Sequence, residues 1–107
     1  MNAEARMLAH YQAVADTVAR MLEAAREADW DALLEHERGC GQLIEQLRNG
    51  IEHAPLEGGA ARRKAALIRQ MLSHDAEIRR LTQPWLARVE SLLRTDSNRR
   101  RVDGAYL

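Results

Sequence analysis

Histidine, cysteine and clustered carboxylates are the residues of this sequence that could do chemistry, and their spacing argues against it. Four histidines, His10, His36, His53 and His74, are dispersed along the chain. No two of them stand one helical turn apart, the spacing that aims a pair of imidazoles at one metal ion. His36 and Cys40 do stand one turn apart and could supply two ligands, but the remaining ligands are missing, so a surface histidine beside a buried cysteine is the plainer reading. The carboxylate pairs Glu35 with Glu37 and Asp75 with Glu77 lack the Glu-x-x-His motif that points di-metal ligands into a bundle. They read as solvated helix faces. Gly58-Gly59 is not followed by Lys-Ser/Thr and reads as a flexible loop rather than a phosphate cradle. No catalytic, cofactor-binding or metal-binding residue is assigned, and no cofactor is expected.

The cations are nearly all arginine, with Lys64 the sole lysine. A small helical enzyme of the chorismate mutase type would need such cations to point into the core and hold a dicarboxylate. Here Arg6, Arg20 and Arg26 fall outside the apolar seam of the first helical segment, and Arg48 lies just past Leu47. That enzyme class stays as an alternative without supporting residues. Arg99-Arg100-Arg101, with Arg94 nearby, form a basic cluster that lacks interleaved aromatics and a recognition helix, so direct nucleic-acid binding is not expected.

The elements that would position these groups follow from composition and period. The chain has 107 residues, 46% hydrophobic and 30% charged, with no Phe, enough for one domain and too little for two. Strong helix formers dominate, which predicts an all-α protein. Cys40 is the only cysteine, so an intrachain disulfide is excluded and a reducing compartment, the cytoplasm, is the default. The amino-terminal residues lack the apolar core of a signal peptide, and no apolar run approaches the ~18 residues of a membrane span, so membrane insertion is not expected. Zero net charge conceals two poles: residues 1–50 carry five basic and nine acidic groups, residues 51–107 eleven and seven.

Met7, Tyr11, Val14, Val18, Met21 and Ala25 recur in steps of three and four and predict a helix from about Ala3 to Ala28. Asp29 is a candidate N-cap for a second helix through Trp30, Leu33, Cys40, Ile44 and Leu47. Gly39 and Gly41 inside it imply either a very close neighbouring helix or a soft point, at about 1 kcal/mol each relative to Ala. Asn49-Gly50 can end this helix, and Ala54 to Gly59 is the clear loop. A third helix runs from Ala60–Arg62 to about Arg94, with a kink or restart expected at Thr82-Gln83-Pro84, a kink being preferred because the apolar period survives the proline. Asp96-Ser97 then offers a fresh N-cap for a short terminal helix. The expected fold is a single all-α domain over 1–107: an antiparallel bundle of three long helices plus a short C-terminal helix, with 96–107 as a mobile segment.

The third helix carries more apolar surface than such a bundle covers. Leu67, Met71, Ile78, Leu81, Trp85, Val89 and Leu92 fall within ~80° of one another and form a seam. Ile68, Leu72, Leu86 and Leu93 form a second line ~100° away. The terminal segment through Val102 and Tyr106, a second subunit, or the amphipathic helix of a client would have to cover it, unless the core stripe is merely broad.

The run Lys64-Ala65-Ala66-Leu67-Ile68-Arg69-Gln70-Met71-Leu72, continuing through Asp75-Ala76-Glu77-Ile78-Arg79-Arg80-Leu81-Thr82 to Pro84-Trp85-Leu86, resembles the third helix of FliT-type flagellar export chaperones. Met21-Leu22-Glu23-Ala24-Ala25 and Asp29-Trp30-Asp31-Ala32-Leu33 are similar to the junction of that family's first two helices. The resemblance implies a cytoplasmic chaperone that binds the C-terminal helical region of the filament-cap protein and delivers it for type III export. It further implies the export ATPase with its associated helical component, and the flagellar transcriptional activator complex, as partners. A purely regulatory anti-activator is the neighbouring alternative, and a homodimer is the other use of an apolar face. On this reading Ile68, Leu72, Leu86, Val89 and Leu93 contact the client, and Val102 and Tyr106 form an autoinhibitory cover.

Overall fold

The computed structural model describes residues 2–49 and 55–105, with side chains as far as Thr95. The described residues form three helices: α1 (Ala3–Arg26), α2 (Trp30–Asn49) and α3 (Gly58–Ala105). Helix α1 starts where Asn2 caps it, its side-chain oxygen accepting from the Ala5 N–H at 2.7 Å, and Glu4 places negative charge in the first turn.

The end of α1 and the start of α2 are built from the same three residues. Ala28 takes a left-handed conformation with φ 55°, its N–H donates to Ala25 O at 3.1 Å, and the Asp29 N–H reaches back to Ala24 O at 2.8 Å. This is a Schellman termination with alanine at the position where glycine is preferred. Asp29 then caps α2 as expected, its carboxylate accepting from the Ala32 N–H at 3.1 Å. Two packed helices joined by so short a link must reverse direction, so α1 and α2 form an antiparallel hairpin.

Helix α3 runs parallel to α1, the direction that an up-down-up order of three helices gives its first and third members. The Arg63 guanidinium donates to Gln12 at 2.6 Å, and Arg26 donates to both oxygens of Glu77 at 3.0 and 3.1 Å. Both pairs are 51 residues apart in sequence, so the register of α1 against α3 is unchanged from one pair to the other. These pairs are solvent-facing and each contributes under about 1 kcal/mol; they mark the register more than they fix the stability.

Burial centres on α1. Met7, Val14, Ala15, Leu22, Ala24 and Ala25 are buried there, against Leu67 and Ile78 of α3 and Cys40 of α2. The small residues Ala15, Ala24 and Ala25 allow close approach, and buried Thr17 donates its hydroxyl to Ala13 O at 2.9 Å. Helices α2 and α3 both pack on α1, while among the described residues their backbones do not come within 8 Å of each other. A Cβ on Gly39 or Gly41 would meet nothing within 4 Å. Of the two readings of these glycines, close approach is therefore excluded and a locally weak helix remains.

The third helix departs most from expectation. It is unbroken over 48 residues, so the separate short C-terminal helix and a restart at Pro84 are both corrected. Pro84 removes one hydrogen bond, but Arg80, whose carbonyl is freed, is exposed and open to water. At Asp96-Ser97 no residue forbids helix, and extending an existing helix is cheaper than nucleating a new one. Forty-eight residues at 1.5 Å rise span about 72 Å, close to the 69 Å long dimension of the molecule, so α3 does not fold back on itself and runs the length of the molecule. Helix α3 also starts earlier than expected, at Gly58. Residues Ile51 to His53, Tyr106 and Leu107 lie outside the described residues, so the expected cover residue Tyr106 does too.

Candidate functional site: a cleft between two helices whose backbones stand apart

Because α2 and α3 lean on α1 but stand apart from each other, an apolar cleft of about 370 Å³ opens between them. Its floor is Met21 of α1 and Ile78 of α3. The α2 wall carries Leu33, Leu34 and Glu37; the α3 wall carries Asp75, Thr82 and Leu86. One end is marked by Trp30 and Trp85, whose rings stack with centroids 5.3 Å apart and planes at 26°. The stack joins the first residue of α2 to α3, and Trp30, with Leu33, packs on the cluster of Leu22, Ala25 and Ile78.

The cleft continues along α3 as an uncovered apolar surface. Trp85 stands level with the first residue of α2, so from Leu86 onward no second helix runs beside α3 among the described residues. The 20 residues from Leu86 to Ala105 therefore form an arm about 30 Å long. Its large apolar side chains are open to solvent: Leu86 is 48% exposed, Leu92 64% and Leu93 63%. Surfaces of this kind are rarely left contiguous on a protein that works alone.

The structure separates the five expected client-contact residues. Leu86 lines the cleft. Val89 is half-buried, and Leu93 is exposed further along the arm. Ile68 is half-buried in the packed part of α3, and Leu72 is 64% exposed away from the cleft. Trp30, Leu33, Leu34 and Met21 were not anticipated as site residues. The amphipathic pattern of α2 marked Trp30 and Leu33 as core, and nothing in sequence shows that α2 and α3 fail to close over them. Val102, expected in a cover, lies on the continuous arm.

Groups weighed for chemistry are not gathered. Cys40 is buried, and burial followed by the nearby Glu37 charge pushes its thiol above the ordinary range, which disfavours the thiolate a nucleophile or metal ligand needs. His36 lies in a separate shallow hollow with Arg20, Glu23 and Glu27. Among the described residues no three of His, Cys, Asp and Glu gather in metal-binding geometry. Every described arginine is exposed, so the inward cations required by a chorismate mutase type of site are not supplied by them. No described helix is long and apolar enough to cross a membrane.

Fold and site together define an all-α scaffold that presents apolar surface for binding. The family model for flagellar protein FliT matches residues 8–107, and the chain belongs to that family. The crystal structure of flagellar protein FliT from Bordetella bronchiseptica is similar at a TM-score of 0.71 and 36% sequence identity, covering 80% of this chain and 98% of that one. No match was found among curated proteins. Family membership supports a flagellar chaperone role, in agreement with the resemblance carried by the third helix.

Proposed function

We propose that the protein is a cytoplasmic chaperone for type III flagellar export that holds the C-terminal helical region of the filament-cap protein. The carrying observation is the continuity of the cleft with the arm. Leu34, Leu86 and Leu93 offer a single apolar track of half-exposed side chains along which an amphipathic helix can lie. A client helix that places apolar residues three and four apart on this track buries surface that the protomer leaves in water.

Ile68 and Leu72 lie nearer the start of α3 and extend the client contact, while Val89 and Leu93 carry it along the arm. Delivery to the export ATPase with its associated helical component uses surfaces outside the track. Binding of the flagellar transcriptional activator complex would compete for the track or leave it free, and that outcome separates a chaperone that also regulates from a pure anti-activator. A cover formed by Val102 and Tyr106 needs either a break in α3 or a second chain.

Titration with the C-terminal fragment of the filament-cap protein, followed through the fluorescence of Trp30 and Trp85, tests the reading. Leu86→Asp is expected to weaken binding at least tenfold, with helical circular dichroism unchanged. Unchanged affinity in that variant would contradict the site.

A further inference from the structure

We propose that the outward face of α3 docks on an anionic lipid surface through a row of arginines that the fold leaves unpaired. The row lies on the side of the helix away from the client track and is argued independently of it.

The helical period defines the row. At 100° per residue, Arg62, Arg69, Arg80 and Arg94 fall within ~40° of one line along α3. Short side chains such as Ser73, Ala76 and Ala87 fill the line between them, and from Gly58 to Thr95 no acidic residue falls within ~45° of it. The carboxylates that flank it are already engaged: Glu77 holds Arg26 and Asp75 holds Arg79, each at 3.0 Å. Arg62, Arg69, Arg80 and Arg94 are exposed, and none of the four makes an ion pair among the described residues. Leu86, Val89 and Leu93 lie ~120° or more from the line by the same arithmetic.

The shape of the row selects among anions. Because α3 runs the length of the molecule, the arginines are strung over about 48 Å, at intervals of about 10 to 21 Å. Such wide and unequal steps match no fixed ladder of phosphates, but headgroups that diffuse within a plane adapt to any spacing. The short side chains between the arginines do not hold the plane off. They also supply no apolar seam for an acidic helix to pack on, and nothing bulky to enter the hydrocarbon, so the contact is electrostatic and at the surface.

The distribution of charge orients the molecule. Helix α3 carries eleven basic groups against five acidic, whereas residues 1–50 carry four more acidic than basic. With the row toward lipid, the acidic hairpin stands on the far side, since α1 packs on the opposite face through Leu67 and Ile78. The cleft between α2 and α3 then remains open to a client. A chain of zero net charge has no general attraction to an anionic bilayer, so binding reports the row itself.

Co-sedimentation of the full chain with vesicles tests the assignment. The chain is expected to bind vesicles of equal parts phosphatidylglycerol and phosphatidylcholine at low salt, to be released as salt rises, and not to bind phosphatidylcholine alone. Arg69→Gln with Arg80→Gln should weaken binding at least tenfold. Arg38→Gln with Arg48→Gln, which removes the same charge from α2, should change it less than twofold. Equal losses in the two variants, or no binding to the anionic vesicles, overturn the proposal. Binding to phosphatidylcholine alone would place the lipid on the apolar arm, and tighter binding to duplex DNA than to the anionic vesicles would make the row a nucleic-acid surface; either result also overturns it. The cap-protein fragment should bind the Arg69→Gln, Arg80→Gln variant as it binds the unsubstituted chain. Release of the chain from vesicles by that fragment would put both ligands on one face and contradict the proposal, while leaving the chaperone reading standing.

Discussion

The two halves of α3 carry the same apolar period and meet opposite fates. From Leu67 to Ile78 the helix lies on α1, and those two residues are 1% and 6% exposed. From Leu86 to Leu93 three leucines stand among eight residues, yet they are half to two-thirds in water. The difference lies not in α3 but in the length of the hairpin beside it. Helices α1 and α2 end level with Glu77 and Trp85, and the apolar row continues past them. An apolar row states that something is bound there. It does not say whether the partner belongs to the same chain.

The largest expected effect sharpens this contrast. Leu67→Ala removes a fully buried side chain and should cost about 3 kcal/mol in chemical denaturation, within the range of core leucine truncations. Leu93→Ala, the same change on the arm, should stay within about 0.5 kcal/mol for the monomer. Equal losses would mean that the arm is packed within one protomer.

A gain of about 1 kcal/mol should come from Ala28→Gly, because glycine accepts the left-handed conformation at the end of α1 without the steric cost borne by alanine. Thermal unfolding reads it, and a loss would show that the hairpin turn is not the strained point described. The smallest effect concerns Cys40. Its raised thiol pKa means that the folded chain keeps this proton at pH values where the unfolded chain has lost it. Stability should therefore fall slightly as pH rises above the ordinary thiol value of 9.0. Alkylation of the native protein should need a higher pH than alkylation of the unfolded chain.

Much of the fold was legible. The steps of three and four from Met7 to Ala25 bounded α1, and Asp29 between an alanine-rich end and Trp30-Asp31 located the hairpin turn. Three things were hidden for physical reasons. Pro84 and Asp96-Ser97 are ordinary helix-breaking signals, but a helix already formed tolerates an exposed proline and runs through a cap residue that nothing else requires. The parallel register of α1 and α3 depends on Gln12 with Arg63 and Arg26 with Glu77, pairs too far apart in sequence to be read. The cleft exists because α2 and α3 stay apart, and no local pattern encodes a gap. Of the residues singled out for client contact, Leu86 alone lines it, because the apolar pattern of α3 carries no trace of the opposite wall on α2.

Amide hydrogen exchange along α3 tests the central claim, that the surface left uncovered by the hairpin is the one a client helix occupies. In the free chain, amides around Leu67 to Ile78 should exchange slowly and those from Leu86 to Arg94 quickly. Adding the C-terminal fragment of the filament-cap protein should slow the second group while leaving the first unchanged. Bound fragment with no added protection between Leu86 and Arg94 would contradict the account.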